Sequence, residues 1–292
     1  MRGICLAVAC LLGGCRCHQE PPADLLELVP ADAVFVMSVD LATLKQSEAL
    51  KALRGMTGEG RRRSGGIGFD VAWDVDRIAL GAASRDRELE FVAALRGRIK
   101  REEVLARMGR QGLASRTHRG RELYQGKGGI GPLMLFAGEG VLVLVSEGWL
   151  ERVLDRLEGK GRPVVGSTVN PLARDVAAMR QGRPAWIVSR LAPTTGTFLA
   201  SRLGLGELRE LLAVQGSLEA KREVTLRLEL QMDGEEATRG LRDRLGALIR
   251  PGTPLERLRL ELSGGRRLRL GLSLTPSEIR RLFERAAGAT GG

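Results

Sequence analysis

The residues that could bind a metal or act as a nucleophile are few, and their spacing suits neither task. The chain has two histidines, His18 and His118, and its four cysteines all lie within the first seventeen residues. A zinc site takes three or four protein ligands, and no second histidine accompanies His118. A hydrolase triad using His118 would also need a serine on a G-x-S-x-G turn. We therefore predict no catalytic residue, no metal and no cofactor, and we place His118 in a surface loop.

Two other stretches match binding motifs only in part. Residues 126–131, GKGGIG, match the dinucleotide fingerprint, but that motif needs a strand before it and a helix after it. Here Pro132 and the strand-like LMLFAG follow, so the sequence predicts a turn between two strands. Asp70, Asp74 and Asp76 lie close together, yet the glycine and glutamate of a calcium-binding loop are missing. This second stretch is predicted to be a turn that enters a strand.

Other carboxylates alternate with arginine at helical spacing. Glu151, Asp155 and Glu158 share one predicted helix with Arg152 and Arg156. Ion pairs of this kind on a helix contribute only a few tenths of a kcal/mol. We interpret the helix as a solvated face on which the charges pair with one another, not as an acid–base site.

The N-terminal segment has the order of a secretory leader. Arg2 supplies a positive charge, and residues 4–12 form an apolar run that is too short to span a membrane. An aliphatic residue and two small residues then precede a cysteine, as Leu12, Gly13, Gly14 and Cys15. Small residues give a peptidase access to the backbone, and the thiol is nucleophilic enough to accept a lipid. A plain secretory leader with incidental cysteines is the alternative.

This ending resembles the lipobox of bacterial lipoproteins. The resemblance implies cleavage before Cys15 and a diacylglyceryl group on its thiol. Cys17 is a poor alternative because Arg16 precedes it, and Cys5 and Cys10 would be removed with the leader. The resemblance also implies a periplasm-facing location in the cell envelope. It favours the outer membrane because Arg16, and not aspartate, follows the modified cysteine.

The chain is strongly basic, with a formal net charge of +11 and an isoelectric point near 10.4. Nucleic acids, anionic membranes and acidic polymers are the partners that such a charge suits. Most of the excess is arginine spread along the chain, and Arg61, Arg62 and Arg63 form the densest cluster. Aromatic residues make up only 3% of the chain and are not interleaved with the basic runs, so we predict no nucleic acid partner. A merely solvated surface also accounts for the charge.

Alternating strand and helix patterns predict an α+β fold, in which duplicated β-α-β-β-α-β-β-α units form mostly antiparallel sheets backed by helices. The predicted ranges are a signal peptide at 1–14, a tether at 15–24, a first unit at 25–165, a linking helix at 166–183 and a second unit at 184–292. A strand at 33–40 is followed by one helix at 41–55. Thr275 and Glu278 form a predicted capping box at the start of the last helix.

One segment resembles a known group of proteins. Residues 28–44, LVPADAVFVMSVDLATL, followed by VDRIAL at 75–80, resemble uncharacterised bacterial envelope proteins of the DUF3352 type. The resemblance covers a small part of the chain. It implies a repeated α+β envelope protein and carries over no catalytic residue.

The second unit contains strands in which leucine alternates with polar residues, as in LRLEL and LRLGL. This alternation predicts one covered face and one wet, positive face, formed by Arg227, Arg257, Arg259, Arg267 and Arg269. We hypothesise a non-catalytic, lipid-anchored module that binds or scaffolds an acidic protein, a lipid headgroup or a polysaccharide through this face. A carrier for an apolar or lipid-like ligand between sheet and helices is the alternative, and an enzyme without a recognised motif is a third possibility.

Overall fold

The structure, a computed structural model, describes residues 22–56, 69–85, 88–110, 112–129, 131–191, 196–197, 199–201, 204–250 and 252–281 of the 292-residue chain. Its strands pair into one sheet of twelve strands, and every strand pair in these ranges is antiparallel. The α+β class predicted from the sequence is confirmed. The predicted lipidation motif Leu12, Gly13, Gly14 and Cys15 and the cluster Arg61, Arg62 and Arg63 lie outside the described residues.

The strand order shows how the two halves combine. The strands are β1 (Phe35–Asp40), β2 (Val75–Arg85), β3 (Glu88–Gly97), β4 (Leu113–His118), β5 (Arg121–Gly126), β6 (Leu133–Gly138), β7 (Val141–Val145), β8 (Ala185–Arg190), β9 (Leu211–Ala220), β10 (Val224–Met232), β11 (Arg259–Ser263) and β12 (Arg267–Leu274). Their spatial order is β11-β12-β10-β9-β8-β1-β2-β3-β7-β6-β5-β4. Outward from the β1–β8 pair, the second half continues with two hairpins, β9–β10 and β11–β12, and the first half continues with three, β2–β3, β6–β7 and β4–β5. The halves therefore share one sheet, whereas the sequence predicted several.

Seven helices are bounded in the described residues: α1 (Leu41–Gln46), α2 (Glu48–Met56), α3 (Val71–Asp74), α4 (Arg101–Gly109), α5 (Leu150–Leu157), α6 (Leu172–Arg180) and α7 (Glu235–Leu248). The single helix predicted at 41–55 is interrupted at Ser47, which has an extended backbone. The Ser47 hydroxyl donates to the Leu44 carbonyl at 2.7 Å and accepts from the Leu50 N–H at 3.2 Å. Ser47 thus ends α1 and caps the start of α2. None of the helices in the described ranges is both long and apolar enough to cross a membrane.

The turns expected at the rejected motifs are confirmed. A short turn at Lys127–Gly129 joins β5 to β6, and Gly128 has a φ of 79° that favours glycine. At the three aspartates the predicted turn is the short helix α3, which follows Asp70, ends at Asp74 and leads directly into β2, where Asp76 lies. The capping box is also confirmed, because the Thr275 N–H donates to Glu278 Oε2 at 2.8 Å and the Glu278 N–H donates to Thr275 Oγ1 at 3.4 Å.

The sheet is covered differently on its two faces. We call the face that carries Val36 and Val188 face A, and the face that carries Met37 and Ile187 face B. On face A, the first half packs its apolar side chains into one cluster with the turn Leu25–Leu28, α5 and α6. On face B, α4 contributes to the cluster of the first half and α7 to that of the second. These layers bury the apolar side chains that stabilise the fold.

Candidate binding surface

Face A changes character from the first half of the sheet to the second. The register continues this face from Val188 on β8 to Gln215 on β9, Glu229 on β10 and Arg269 on β12. Val188 is 1% exposed and belongs to the apolar cluster, whereas the next residues along this row are polar. A sheet face that is packed core in one half is therefore a polar surface in the other.

This polar surface forms the floor of an open groove with a volume of about 1040 Å³. Met179 on α6 and the nearby Arg183 line one side, and Glu256 and Arg257, which precede β11, also line the groove. The floor comes from β9, β10, β11 and β12, with Ser217 and Thr225 among its polar residues. The groove thus spans the second half of the sheet next to the packed core of the first.

The structure brings the five predicted arginines to this part of the molecule. Four of them line the groove, and Arg267 follows on the same side of β12, two residues before Arg269. The arginines lie on different elements: Arg227 on β10, Arg257 before β11, and Arg259 on β11. Strand alternation directs the polar members of each strand to one face, because successive side chains point to opposite sides.

The surface is less positive than the sequence predicted, because glutamates pair with most of its arginines. Arg267 and Arg269 share Glu229, with nitrogen–oxygen distances of 3.4 Å and 2.8 Å. The hydrogen bond that Arg269 Nε donates to Glu229 Oε2 raises the pKa of Arg269. The other pairs are Arg227–Glu219 at 2.5 Å, Arg257–Glu223 at 3.5 Å and Arg257–Glu278 at 3.3 Å. Sequence reasoning missed these glutamates, although Glu229 lies in the same LRLEL stretch as Arg227.

The arginines remain accessible despite these pairs. The side chains of the four paired arginines, Arg227, Arg257, Arg267 and Arg269, are between 48% and 59% exposed. Two further arginines that line the groove, Arg183 and Arg259, form no ion pair with the residues that the structure describes. The groove therefore presents fixed and unpaired guanidinium groups, which are suited to carboxylate, phosphate or sulfate groups.

His118 lies elsewhere and is the last residue of β4, not part of a loop. The hairpin of β4 and β5 was missed because LASRTH is mostly exposed on both faces and lacks the apolar alternation of a strand. The ring nitrogen Nε2 of His118 lies 2.5 Å from Glu151 Oε1 on α5. The histidine therefore helps to fix this hairpin against the helix.

The predicted pairing of charges within α5 is wrong, although these charged side chains are at least partly exposed to solvent, as predicted. Its acidic residues pair with Arg119 from the β4–β5 turn, at 3.1 Å to Glu151, 2.8 Å to Asp155 and 2.6 Å to Glu158. Arg152 instead contacts Asp32, and Arg156 donates to main-chain carbonyls. Hydrogen bonds with Asp155 above all, and also with Glu151 and Glu158, raise the pKa of Arg119. The cluster is a clasp between two elements of the fold.

This clasp makes the docking of the hairpin sensitive to acid. The hydrogen bond with His118, and then that with Arg119, lowers the pKa of Glu151 below its ordinary value of 4.5. A lowered carboxyl pKa stabilises the fold above the ordinary value, and this stability is lost as the pH falls through the lower folded value. In an NMR titration of the side-chain carboxyls we expect a midpoint below 4.5 for Glu151, shifted upward in His118→Ala.

Glu278 provides an internal control for that titration. The Thr275 N–H lowers the pKa of Glu278, and the two residues follow β12, the last strand of the other half of the chain. The midpoint of Glu278 should stay unchanged in His118→Ala. An unchanged Glu151 midpoint would show that His118 contributes nothing to the clasp.

No group of three or more histidine, cysteine, aspartate or glutamate side chains within the described ranges is placed to hold a metal ion. Near α3, the carboxylates of Asp74 and Asp76 contact other groups of the protein. Asp74 Oδ2 accepts from the Asp70 N–H at 2.9 Å, and Asp76 lies 3.5 Å from Lys45 Nζ. These contacts fit the predicted turn into β2.

Comparison with known proteins identifies the fold alone. No protein-family model matches the chain, and no curated protein matches it. Among solved structures, crystal form III of TP0453 superposes with a TM-score of 0.57 at 16% identity, covering 88% of this chain and 96% of that one. Crystal form I gives a TM-score of 0.54 at 14% identity, covering 90% and 97%. At such identities the similarity shows a shared fold across most of both chains.

Proposed function

We propose that the chain is a lipid-anchored protein of the bacterial cell envelope and that it acts as a non-catalytic binding module. In this proposal Cys15 carries the lipid, the outer membrane is the favoured location, and the groove on face A is the binding surface. The single observation that carries the binding role is the change of face A from packed core to an accessible arginine and glutamate surface. If this part of face A served only for packing, its side chains would be apolar, as they are in the first half of the sheet.

The charges of the groove favour an anionic partner of moderate affinity. An incoming carboxylate, phosphate or sulfate meets Arg183 and Arg259 directly, whereas it must compete with Glu229 for Arg267 and Arg269. The glutamates also hold the guanidinium groups in place before binding, which lowers the entropy lost when a partner binds. Acidic proteins, lipid headgroups and polysaccharides all carry suitable groups.

Substitutions of opposite effect test the groove. The chain with Arg227, Arg257, Arg259, Arg267 and Arg269 changed to glutamine should lose affinity for an anionic probe at least about tenfold, which corresponds to about 1.4 kcal/mol. Glu229→Gln should raise the affinity, since it frees Arg267 and Arg269. The probes are phosphatidylglycerol vesicles, a sulfated polysaccharide and poly-glutamate, and binding is measured by titration calorimetry at two salt concentrations.

A matched control uses arginines on α7. Arg239→Gln with Arg242→Gln removes positive charge from a helix that packs in the cluster on face B, and it should leave binding unchanged. If the control lowers binding as much per arginine removed as the groove variant does, the effect comes from net charge alone. If the affinity for all three probes is the same in the groove variants as in the unmodified protein, the proposed surface is wrong.

One observation favours the alternative of an apolar-ligand carrier. In the middle of face B, Met37, Leu80, Ile187, Leu226 and Leu228 are only partly buried and lie outside the clusters that include α4 and α7. Such a stripe offers apolar surface to an acyl chain. A fluorescent fatty acid added to the same series distinguishes the two functions, because its binding to this stripe should not respond to the groove variants.

A further inference from the structure

The described chain begins at one end of the sheet, which fixes where a lipid anchor can lie. We call this the tether end; β1 and β3 end there, and β2 and β7 begin there. Arg96 at the end of β3 donates from Nη2 to the Pro22 carbonyl at 2.6 Å and from Nη1 to the Ala23 carbonyl at 2.7 Å. These two bonds attach the start of the described chain to that end of the strand.

The segment between the proposed anchor and this point is short. Seven residue steps separate Cys15 from Pro22, and a fully extended chain of that length spans at most about 25 Å. The sheet of twelve strands is about 50 Å across, at a spacing of about 4.8 Å between neighbours. The membrane that holds Cys15 must therefore lie close to the tether end. The tether is too short for Cys15 to reach both distant edges of the sheet.

An exposed tryptophan lies at this same end. Trp73 on α3 is 42% exposed, whereas the other two tryptophans, Trp149 and Trp186, are buried at 1% and 4%. The Trp73 main-chain carbonyl accepts from Lys45 Nζ at 3.1 Å and from Arg98 Nη2 at 3.0 Å. Two cationic side chains from outside α3 therefore hold the main chain at this tryptophan in place.

The charges around α3 are mixed. Exposed Arg77, Arg98 and Lys100 each have a carboxylate within 4 Å, and the distances are 3.9 Å to Asp40, 3.7 Å to Asp74 and 2.8 Å to Glu103. A surface of this kind does not select a polyanion. It suits the headgroup layer of a phospholipid bilayer, where tryptophan is enriched because its ring is apolar and its N–H is polar.

We infer that the anchored protein rests on the phospholipid bilayer at Trp73, with the Trp73 indole at the level of the headgroups. The inference rests on the proposed lipid anchor at Cys15. One tryptophan gives too little apolar contact to bind a membrane alone, so the lipid supplies the attachment and the contact at Trp73 sets the orientation.

Tryptophan fluorescence tests the orientation, because Trp73 is the one exposed tryptophan of the three. The acylated full-length protein is reconstituted into phosphatidylcholine vesicles with and without brominated acyl chains. We expect bromine to quench a share of the emission, and we expect iodide quenching to fall severalfold relative to the unanchored Cys15→Ala protein. Both effects should disappear in Trp73→Phe, in which the buried Trp149 and Trp186 alone emit.

Leu89→Ser is the matched control. Leu89 is 67% exposed and lies at the opposite end of β3, about 27 Å from Gly97 at the spacing of a strand. This variant should show the same bromine and iodide quenching as the unmodified protein. Loss of bromine quenching in Leu89→Ser would contradict the assignment of the tether end.

Vesicle flotation separates the two possible failures. A protein that floats with the vesicles but keeps Trp73 open to iodide and insensitive to bromine would overturn the orientation and leave the anchor in place. A protein that does not float would overturn the lipid anchor, and the orientation with it. Flotation together with bromine quenching of Trp73 supports both.

Discussion

In cells that express Cys15→Ala, we expect a protein without acyl chains. It should either keep its uncleaved leader or be cleaved without receiving a lipid. The physical reason is that each buried methylene contributes about 0.8 kcal/mol to membrane binding, and the modified cysteine carries two or three acyl chains. We expect membrane partitioning of the cleaved protein to fall by at least about 100-fold. Fractionation of the envelope, followed by mass spectrometry of the N-terminal peptide, measures both the location and the modification.

Cys17→Ala is the control for that experiment. Cys17 lies two residues after Cys15 and follows Arg16, which does not fit the small residue required before the modified cysteine. The Cys17→Ala protein should keep its acyl chains and its membrane location. Acyl chains found on the Cys15→Ala protein would place the modification elsewhere and remove the basis for the anchor.

The regular strands were predictable because their side chains alternate. In β12, RLRLGLSL, leucine alternates with arginine, glycine and serine, and the structure buries Leu268 and Leu274 while it exposes Arg267 and Arg269. Burial alternates from Arg267 to Arg269 because Leu268 points to the packed face and the two arginines to the open one, whereas Leu270 to Ser273 are all half-buried. Local patterns of this kind were sufficient for the α+β class, but the predicted order of elements lacked the β4–β5 hairpin of the first half.

The joining of the two halves into one sheet was not predictable in the same way. β1 pairs with β8, so that Val36 lies opposite Val188 although about half of the chain separates them. The alternation within a strand says which face is buried, but it does not say which distant strand lies beside it. The apolar residues on both faces of β1 indicated only a strand that is covered on both faces.

The candidate surface was predicted in position and misjudged in charge. Strand alternation placed Arg227, Arg267 and Arg269 together, but the partners of these arginines come from neighbouring strands and depend on register. Glu229 lies directly opposite Arg269 only because β10 and β12 pair in the observed register. The same limit explains α5, since Arg119 reaches Asp155 from a separate hairpin. Sequence spacing reveals pairs within one helix and not those between elements.

The contact between α3 and the end of β3 depends on a glycine. A Cβ atom on Gly97 would lie 2.0 Å from the Asp74 carbonyl oxygen and 2.8 Å from the Val75 Cα. Both atoms belong to the backbone, so no side chain can turn away to make room. The Arg98 N–H also donates to the Asp74 carbonyl at 2.7 Å, which holds α3 against the strand. A methyl group here must separate the two segments.

Gly97→Ala should therefore destabilise the protein by about 3 kcal/mol, the upper end of the cost of overpacking a filled site, and should displace α3 with Trp73. Urea unfolding measures the loss, and a change in Trp73 emission under native conditions measures the displacement. Gly109→Ala at the end of α4 is the control, since a Cβ atom there meets nothing within 4 Å. It should leave stability unchanged or raise it by up to about 1 kcal/mol. Equal urea midpoints for both variants would mean that the backbone at Gly97 yields, and that α3 is not held by this contact.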